Sequence, residues 1–205
     1  MNIGTPKEVG YLSQILTARR SQTLSLTQRQ YDVLIGTILG DGYIYPKGKV
    51  QIEQSHKQKE YLDWKFQELR SLAYPGEPAC VKRFDKRTNE IYISYRFWLR
   101  QYFRPWRELL YPDNTKVFPE NLVISPLSLA VWYMDDGSLG NGISIISAEG
   151  FSDISQRNIQ KMFFREYGLR TKVQKKSRKL VIQDRVQFFK LIHDYIIPSM
   201  RYKIS

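Results

Sequence analysis

The chain is poor in the residues that build covalent and metal frameworks: of 205 residues, one is cysteine (Cys80) and two are histidine (His56 and His193). One thiol closes no intramolecular disulfide, and so few ligands make no zinc-site spacing; this usage fits a reducing compartment. Long apolar runs are missing as well. Stretches such as Leu129 to Met134 fall far short of the roughly 18 residues that a membrane span requires, so a soluble chain with no membrane partner is expected. Acids are outnumbered, 20 Asp plus Glu against 32 Lys plus Arg, which leaves a formal charge of +12 and a pI near 9.7. Core material is plentiful by contrast. A hydrophobic fraction of 42% and an aromatic fraction of 14%, with 14 Tyr, exclude intrinsic disorder over most of the chain. Tyrosine and arginine spread through a basic chain favour a nucleic acid as partner over a membrane surface.

Residues 1–26 place Tyr11, Leu12, Ile15 and Leu16 at helical spacing, next to Arg19 and Arg20. A short amphipathic helix is predicted there, with an organellar targeting segment as the competing reading. Thr27 with Gln30 is a capping-box signal for a helix running from Tyr31 to Leu39. A hairpin follows over Tyr43–Tyr45 and Lys49–Ser55, then a helix over Lys57–Leu72, a hairpin over Ala79–Asp85 and Glu90–Phe97, and a helix over Trp98–Leu110. The pattern then restarts. Ser125-Pro126 opens a helix that ends at Asp135-Asp136-Gly137, and Ser138–Ser147 is strand-like around a Gly140-Asn141-Gly142 turn. Ser155–Tyr167 reads as helix with Gly168 at its end, Thr171–Lys176 and Lys179–Gln183 as a hairpin, and Arg185–Ile197 as a last helix. The same element order twice is a long-period duplication. Its halves fall at residues 27–112 and 113–205, forming one compact unit after the 1–26 extension.

Each half opens on a helix that ends in an acid followed by glycine, Asp41-Gly42 and Asp136-Gly137. A carboxylate there faces the negative end of the helix dipole, at a cost of about 0.3–1 kcal/mol. A solvated aspartate beside an ordinary glycine cap would explain either copy alone. Two copies in equivalent places ask for more. If the helices pack side by side, as Gly36, Gly40 and Ala130 would permit, both carboxylates reach the same edge of the interface and repel unless a divalent cation lies between them. Hard oxygen ligands with open positions for water and phosphate describe a Mg²⁺ site, with Mn²⁺ as a substitute, suited to phosphodiester hydrolysis.

Leu34-Ile-Gly-Thr-Ile-Leu-Gly-Asp-Gly42 and Leu129-Ala-Val-Trp-Tyr-Met-Asp-Asp-Gly137 resemble the two copies of the nine-residue signature of LAGLIDADG homing endonucleases, in the monomeric two-repeat branch. The likeness runs from Thr27 to nearly the end of the chain. It takes in Tyr95-Arg-Phe97, Lys116-Val-Phe-Pro119-Glu-Asn121, Pro126-Leu-Ser-Leu-Ala130, Phe151 and Pro198-Ser-Met-Arg-Tyr-Lys203. The resemblance implies an α+β fold of two pseudo-symmetric αββαββα halves, with the motif helices packed together and two four-stranded antiparallel sheets forming a saddle on double-stranded DNA. It implies Asp41 and Asp136 as the metal ligands, with Asp135 a weaker candidate. It implies Lys116 and Lys203 as one basic residue per half beside the cleavage centre, each following the last helix of its half. Gln54 matches a polar position that handles water or metal, with Glu53 as competitor if the register slips by one. In the second half that region holds Ala148 and Glu149 instead.

Along Val50–Ser55, the residues Gln51, Glu53 and Ser55 share one strand face, and along Thr171–Lys176 so do Lys172, Gln174 and Lys176. Polar faces of this kind suit major-groove base edges, or simple solvation. Lys82, Arg83, Lys86, Arg87, Arg178 and Lys179 on the hairpins read as phosphate contacts, which position without specifying. Arg96, Arg100, Arg104 and Arg107 are expected on one basic face of the Trp98 helix. The leading function is a monomeric, site-specific DNA endonuclease that breaks both strands at a long asymmetric site. An intron maturase binding RNA is the alternative, and a non-catalytic DNA-binding regulator the third reading. An organellar or prokaryotic cytoplasmic location, not secretion, is expected.

The charge makes a first prediction. Duplex-DNA affinity should fall with salt at a log–log slope of about −0.9 per phosphate neutralised. A flat salt titration by fluorescence anisotropy would assign the basic surface to another partner.

Overall fold

The computed structural model describes residues 12–17, 23–140 and 142–205. A two-stranded unit, β1 (Ile15–Thr17) and β2 (Thr23–Ser25), precedes the repeat. The first half is α1 (Gln28–Leu39), β3 (Tyr43–Ile44), β4 (Val50–Ser55), α2 (Lys59–Leu69), β5 (Ala79–Asp85), β6 (Glu90–Leu99) and α3 (Arg104–Leu110). The second is α4 (Pro126–Asp136), β7 (Gly137–Gly140), β8 (Ile143–Ile146), α5 (Asp153–Tyr167), β9 (Thr171–Val173), β10 (Leu180–Ile182) and α6 (Arg185–Ile192). Short 3₁₀ turns join them, among them Pro198–Lys203. Each half is therefore αββαββα. Its four strands form an antiparallel sheet of the same order, β3-β4-β6-β5 and β7-β8-β10-β9.

The two opening helices are the core of the molecule. α1 buries every residue from Tyr31 to Leu39, and α4 every residue from Leu127 to Met134. Helices apolar on all sides belong inside, not on a surface. Their starts are fixed by local chemistry. Thr27 and Gln30 form a reciprocal capping box, and the Ser125 hydroxyl accepts the Ser128 N–H at 3.1 Å ahead of Pro126 in the first turn. Small residues then let the helices touch. A Cβ on Gly36 would stand 2.5 Å from the Ser128 carbonyl oxygen, and one on Gly40 would stand 2.5 Å from the Asp135 Cβ. The Ser128 hydroxyl donates to the Asp32 carbonyl at 2.9 Å across the same contact. Outside this pair, α2 packs on β4 and β6, with Phe66 edge-on to Phe97 at 5.2 Å between ring centroids. α6 packs on α4 through Phe188 and Tyr133, at 5.3 Å.

Three sequence expectations change. The predicted helix around Leu12, Ile15 and Leu16 is instead the β1–β2 hairpin, in which Leu16 pairs with Leu24. Ile15 supplies a β-branched position there, and Leu12 and Leu16 are buried. Tyr11, Arg19, Arg20 and the targeting reading of the first residues lie outside the described residues, as does Asn141. Trp98 does not open a helix. The alternation of Ile91, Ile93, Tyr95, Phe97 and Leu99 continues as strand to the end of β6, and α3 begins only at Arg104 with Pro105 in its first turn. The four arginines consequently share no helix face. Arg96 lies on β6, Arg100 Nε donates to the Ala73 carbonyl at 3.1 Å, and buried Arg107 donates to the Ile44 carbonyl at 2.7 Å and to Asn114 Oδ1 at 2.8 Å. Finally, α6 stops at Ile192, and a separate turn spans His193–Tyr195.

The helix contact predicts that Gly36→Ala lowers stability by about 1–3 kcal/mol, as overpacking of a filled core does. Gly150→Ala, whose Cβ would meet nothing within 4 Å, should leave the urea midpoint nearly unchanged. Equal midpoints for the two variants would refute the close-packing argument.

Candidate active site at the ends of the motif helices

α1 and α4 end side by side, and both chains turn out of the helix through an Asp-Gly step. Neither Gly42 nor Gly137 has a positive φ. Glycine is needed there for closeness: a Cβ would lie 2.7 Å from the Thr37 carbonyl oxygen at Gly42 and 2.3 Å from the Tyr133 carbonyl oxygen at Gly137. The backbone folds hard against the last helical turn and passes directly into β3 or β7. Each aspartate is thereby held at the helix end.

The unfavourable dipole is offset by two cations. Lys116 Nζ donates to the Gly40 carbonyl at 2.8 Å, and Lys203 Nζ donates to the Asp135 carbonyl at 2.9 Å. The two carbonyls are pseudo-symmetry mates, each one residue before the motif acid, so each lysine caps a negative helix end. Burial pulls both amines below their ordinary range, and the surrounding acids Asp41, Asp135 and Asp136 oppose it.

The acids are less alike than the lysines. Asp41 Oδ2 accepts from Gln54 Nε2 at 3.0 Å. Asp136 Oδ2 accepts from Trp132 Nε1 at 3.3 Å, and its carboxyl is pushed up to about 7 by burial, then by the charges of Asp41 and Asp135. Gln54 is buried at the acids, whereas its neighbour Glu53 faces outward, bonded to Arg83, Ser94 and Arg96. Tyr43 pairs with Gln51, and Ser138, which likewise follows a motif glycine, pairs with Ile145. The same register carried three residues on makes buried Ala148 the counterpart of Gln54.

Lys65 was not singled out by sequence reasoning as functional, and Asp135 was only the weaker candidate beside Asp136. Asp135 forms an ion pair with Lys65 of α2, Oδ1 to Nζ at 2.6 Å, both side chains fully buried. Asp135 also accepts from Gln54 Nε2 at 3.1 Å and from the Asp41 backbone N–H at 3.3 Å. Burial raises the Asp135 carboxyl, and Lys65 opposes that shift. The signal for Lys65 was its place on an apolar helix stripe with Tyr61, Leu62, Phe66 and Leu69. The signal for Asp135 was the doubled acid ahead of Gly137.

The outer sheet faces carry the other expected residues. Gln51 and Glu53 point outward on β4 in a polar network: Tyr45 Oη donates to Gln51 Oε1 at 3.1 Å, Gln51 Nε2 to Glu53 Oε2 at 3.2 Å, and Arg83 pairs with Glu53, holding its carboxyl below the ordinary range. Ser55 is exposed at the end of β4. Lys82 pairs with Ile93 and lies on the opposite face of β5 from Arg83, while Lys86 and Arg87 occupy the β5–β6 turn. The shared strand face of Lys172, Gln174 and Lys176 is corrected. β9 ends at Val173, so only Lys172 is on a strand, and residues 174–179 turn through Arg178 at φ 60°. Arg178 is engaged within the fold, with Asp153 at 2.8 Å and the Phe151 carbonyl at 2.9 Å, and the Lys179 carbonyl accepts the Gln174 N–H at 2.9 Å.

A family model described as the LAGLIDADG DNA endonuclease family matches residues 31–190. The chain belongs to this family. Protein MJ1098 of Methanocaldococcus jannaschii is 32% identical over 82% of this chain and 70% of its own length. The DNA endonuclease I-ChuI of Chlamydomonas applanata is 28% identical, over 89% of this chain and 97% of its own. The cytochrome b mRNA maturase bI2 of Saccharomyces cerevisiae is 28% identical over 84% of this chain, which spans about half of that protein, 46%. The fold matches that of the homing endonuclease I-WcaI bound to its DNA recognition sequence, with a TM-score of 0.80 over 89% of this chain and 88% of that one at 22% identity.

The Asp136 environment makes a pH prediction. Its carboxyl is raised from 3.8 to about 7 in the fold, so the folded state holds more protons between those values than the unfolded state. The stability this group contributes is full below the lower value and lost as pH rises through the upper. The melting temperature of metal-free protein should fall relative to that of Asp136→Asn across this window. A constant offset between the two melting curves would refute it.

Proposed function

We propose that the chain is a homing endonuclease that hydrolyses both strands of double-stranded DNA at a long asymmetric site, acting as a monomer with Asp41 and Asp136 as ligands of Mg²⁺ or Mn²⁺. The observation that carries this reading is the paired constellation at the motif-helix ends, an acid and a lysine from each half around one axis. The donor chemistry fits the ion. Among the described residues, no group of three or more His, Cys, Asp or Glu could enclose a metal. Asp135 is committed to Lys65, which leaves Asp41 and Asp136, and the Asp41 charge is among the causes that raise the Asp136 carboxyl. Mg²⁺ keeps several waters and takes only one or two carboxylates plus substrate phosphate, so two suffice. When bound, the ion supplies Lewis-acid polarisation of the phosphate and a more acidic water.

The remaining steps fall to this chain's own groups. Lys116 and Lys203, held at the helix ends by backbone carbonyls, place positive charge where the scissile phosphates gain negative charge. Gln54 orients water at the Asp41 half, and Ala148 supplies no such group at the other. Gln51, Glu53, Ser55 and Lys172 meet base edges. Arg83, Lys86, Arg87, Lys176 and Lys179 meet phosphates, with Lys82 at the margin of that surface. Likeness to maturase bI2 supports intron RNA as the alternative partner. RNA assistance would use the basic surface and leave the acids idle.

Incubation with a plasmid library in Mg²⁺ and sequencing of the ends should reveal one long target. Asp41→Asn or Asp136→Asn should abolish double-strand cleavage while binding in Ca²⁺ survives, because Asn is a poor neutral substitute for a metal-binding carboxylate. Full Mg²⁺-dependent cleavage by either variant would overturn the assignment. Intron splicing that is unaffected by both variants, with no DNA cleavage by the wild type, would establish the RNA reading instead.

A further inference from the structure

The two halves of the site are built to different standards. At the first, Lys65 Nζ meets Asp135 Oδ1 at 2.6 Å; Asp135 receives the Asp41 N–H at 3.3 Å and the Gln54 amide at 3.1 Å, and the same Gln54 amide reaches Asp41 Oδ2 at 3.0 Å. Lys65 also lies 4.3 Å from the centroid of the Tyr61 ring, and Tyr61 Oη donates to the Val131 carbonyl of α4 at 3.1 Å. A cation on the first half's α2 thus reaches across the pseudo-twofold axis to an acid of the second half's α4. That acid in turn accepts the Asp41 backbone N–H and shares the Gln54 amide with the Asp41 carboxylate. At the second half every member of this chain of contacts is replaced. The mate of Asp135 is Gly40, the mate of Gln54 is Ala148, and the count that leads from Gln54 to Lys65 leads from Ala148 to Ile159, fully buried and apolar. Asp136 has a side-chain bond from Trp132 only at 3.3 Å.

Stability is a poor explanation for this arrangement. Two fully buried opposite charges contribute little net free energy compared with an apolar pair of similar volume. What the ion pair adds is direction, since a carboxylate locked by Lys65 presents two fixed acceptors to Asp41 and Gln54.

We propose that Lys65 and Asp135 are positioning residues that preorganise the Asp41 half of the nuclease centre, so that the two DNA strands are cut at unequal rates set by this cross-half ion pair. The proposal rests on the nuclease reading for its rate consequence and on the metal-free fold for its positioning claim, and the experiment separates them.

The test compares wild type with the charge-balanced variant Lys65→Met/Asp135→Asn. In metal-free protein, hydrogen exchange of the Asp41 backbone amide and the Gln54 side-chain amide, followed by ¹H–¹⁵N NMR, should be protected in wild type and faster in the variant. In Mg²⁺, strand-resolved single-turnover cleavage should be unequal in wild type. The variant should lose about tenfold on one strand, the scale of one positioning hydrogen bond, and much less on the other. Affinity in Ca²⁺ should not change. Equal slowing of both strands, a rate loss matched by weaker binding, or unchanged amide exchange would each overturn the proposal. A wild type that cleaves neither strand would instead bring down the nuclease reading, and amide exchange alone would then decide the positioning claim. If circular dichroism shows the double variant unfolded, the single variant Asp135→Asn, which keeps the size of the side chain and removes its fixed carboxylate, carries the same expectations.

Discussion

Everything at the functional end of this protein depends on how closely α1 and α4 approach. Gly36 and Gly40 remove two side chains from the contact, and the atoms that occupy the space are the Ser128 carbonyl, Val131 and Asp135. A wider separation would carry the Asp41 and Asp136 carboxylates apart and break the bond from the Asp41 N–H to Asp135. It would also take Asp135 out of reach of Lys65 on α2. Gly36 inside α1 costs about 1 kcal/mol in propensity, and the burial of two helices on all sides offsets that loss. The pseudo-twofold axis is therefore a packing solution first, and the symmetric placement of chemistry follows from it.

That symmetry holds for the backbone and relaxes at the side chains. The lysines keep it closely, each capping the carbonyl one residue before its acid. The acids keep their places but not their surroundings, with an amide and an ion pair beside one and an indole beside the other. Like charges gathered at two negative helix ends would drive the structure apart, and Lys65, Lys116 and Lys203 answer them from three different elements. The electrostatics of the site are balanced before any metal or phosphate arrives.

The architecture was legible because its signals were local or repeated. Thr27 with Gln30 and Ser125 with Pro126 announced the helix starts, and the doubled Asp-Gly announced the duplication. Resemblance to a known family then supplied what spacing could not, the pairing of Lys116 with Lys203. Legibility failed where tertiary context outweighed local pattern. Leu12 and Leu16 fit a helix stripe, yet they pack as one side of a hairpin. Trp98 began an apparent helix because aromatic and arginine spacing there mimics a turn of 3.6 residues, while the alternation from Ile91 to Leu99 carried the stronger, strand-forming signal. Lys65 was passed over because a lysine among Tyr61, Leu62 and Phe66 looks like a solvated interruption until its partner is known, and that partner belongs to the other half of the chain.

The polar contacts that complete the site span long stretches of chain. Gly40 to Lys116 is a separation of 76 residues, Asp135 to Lys203 of 68, Lys65 to Asp135 of 70 and Asp41 to Asp135 of 94. Closing loops of that size carries an entropic cost that local contacts do not return, and the Lys65–Asp135 and Asp41–Asp135 contacts require both halves to be packed together. A chain with one half folded holds one motif acid and its capping lysine but not the paired centre. The site is consequently a readout of complete folding, and partly folded molecules are silent by construction.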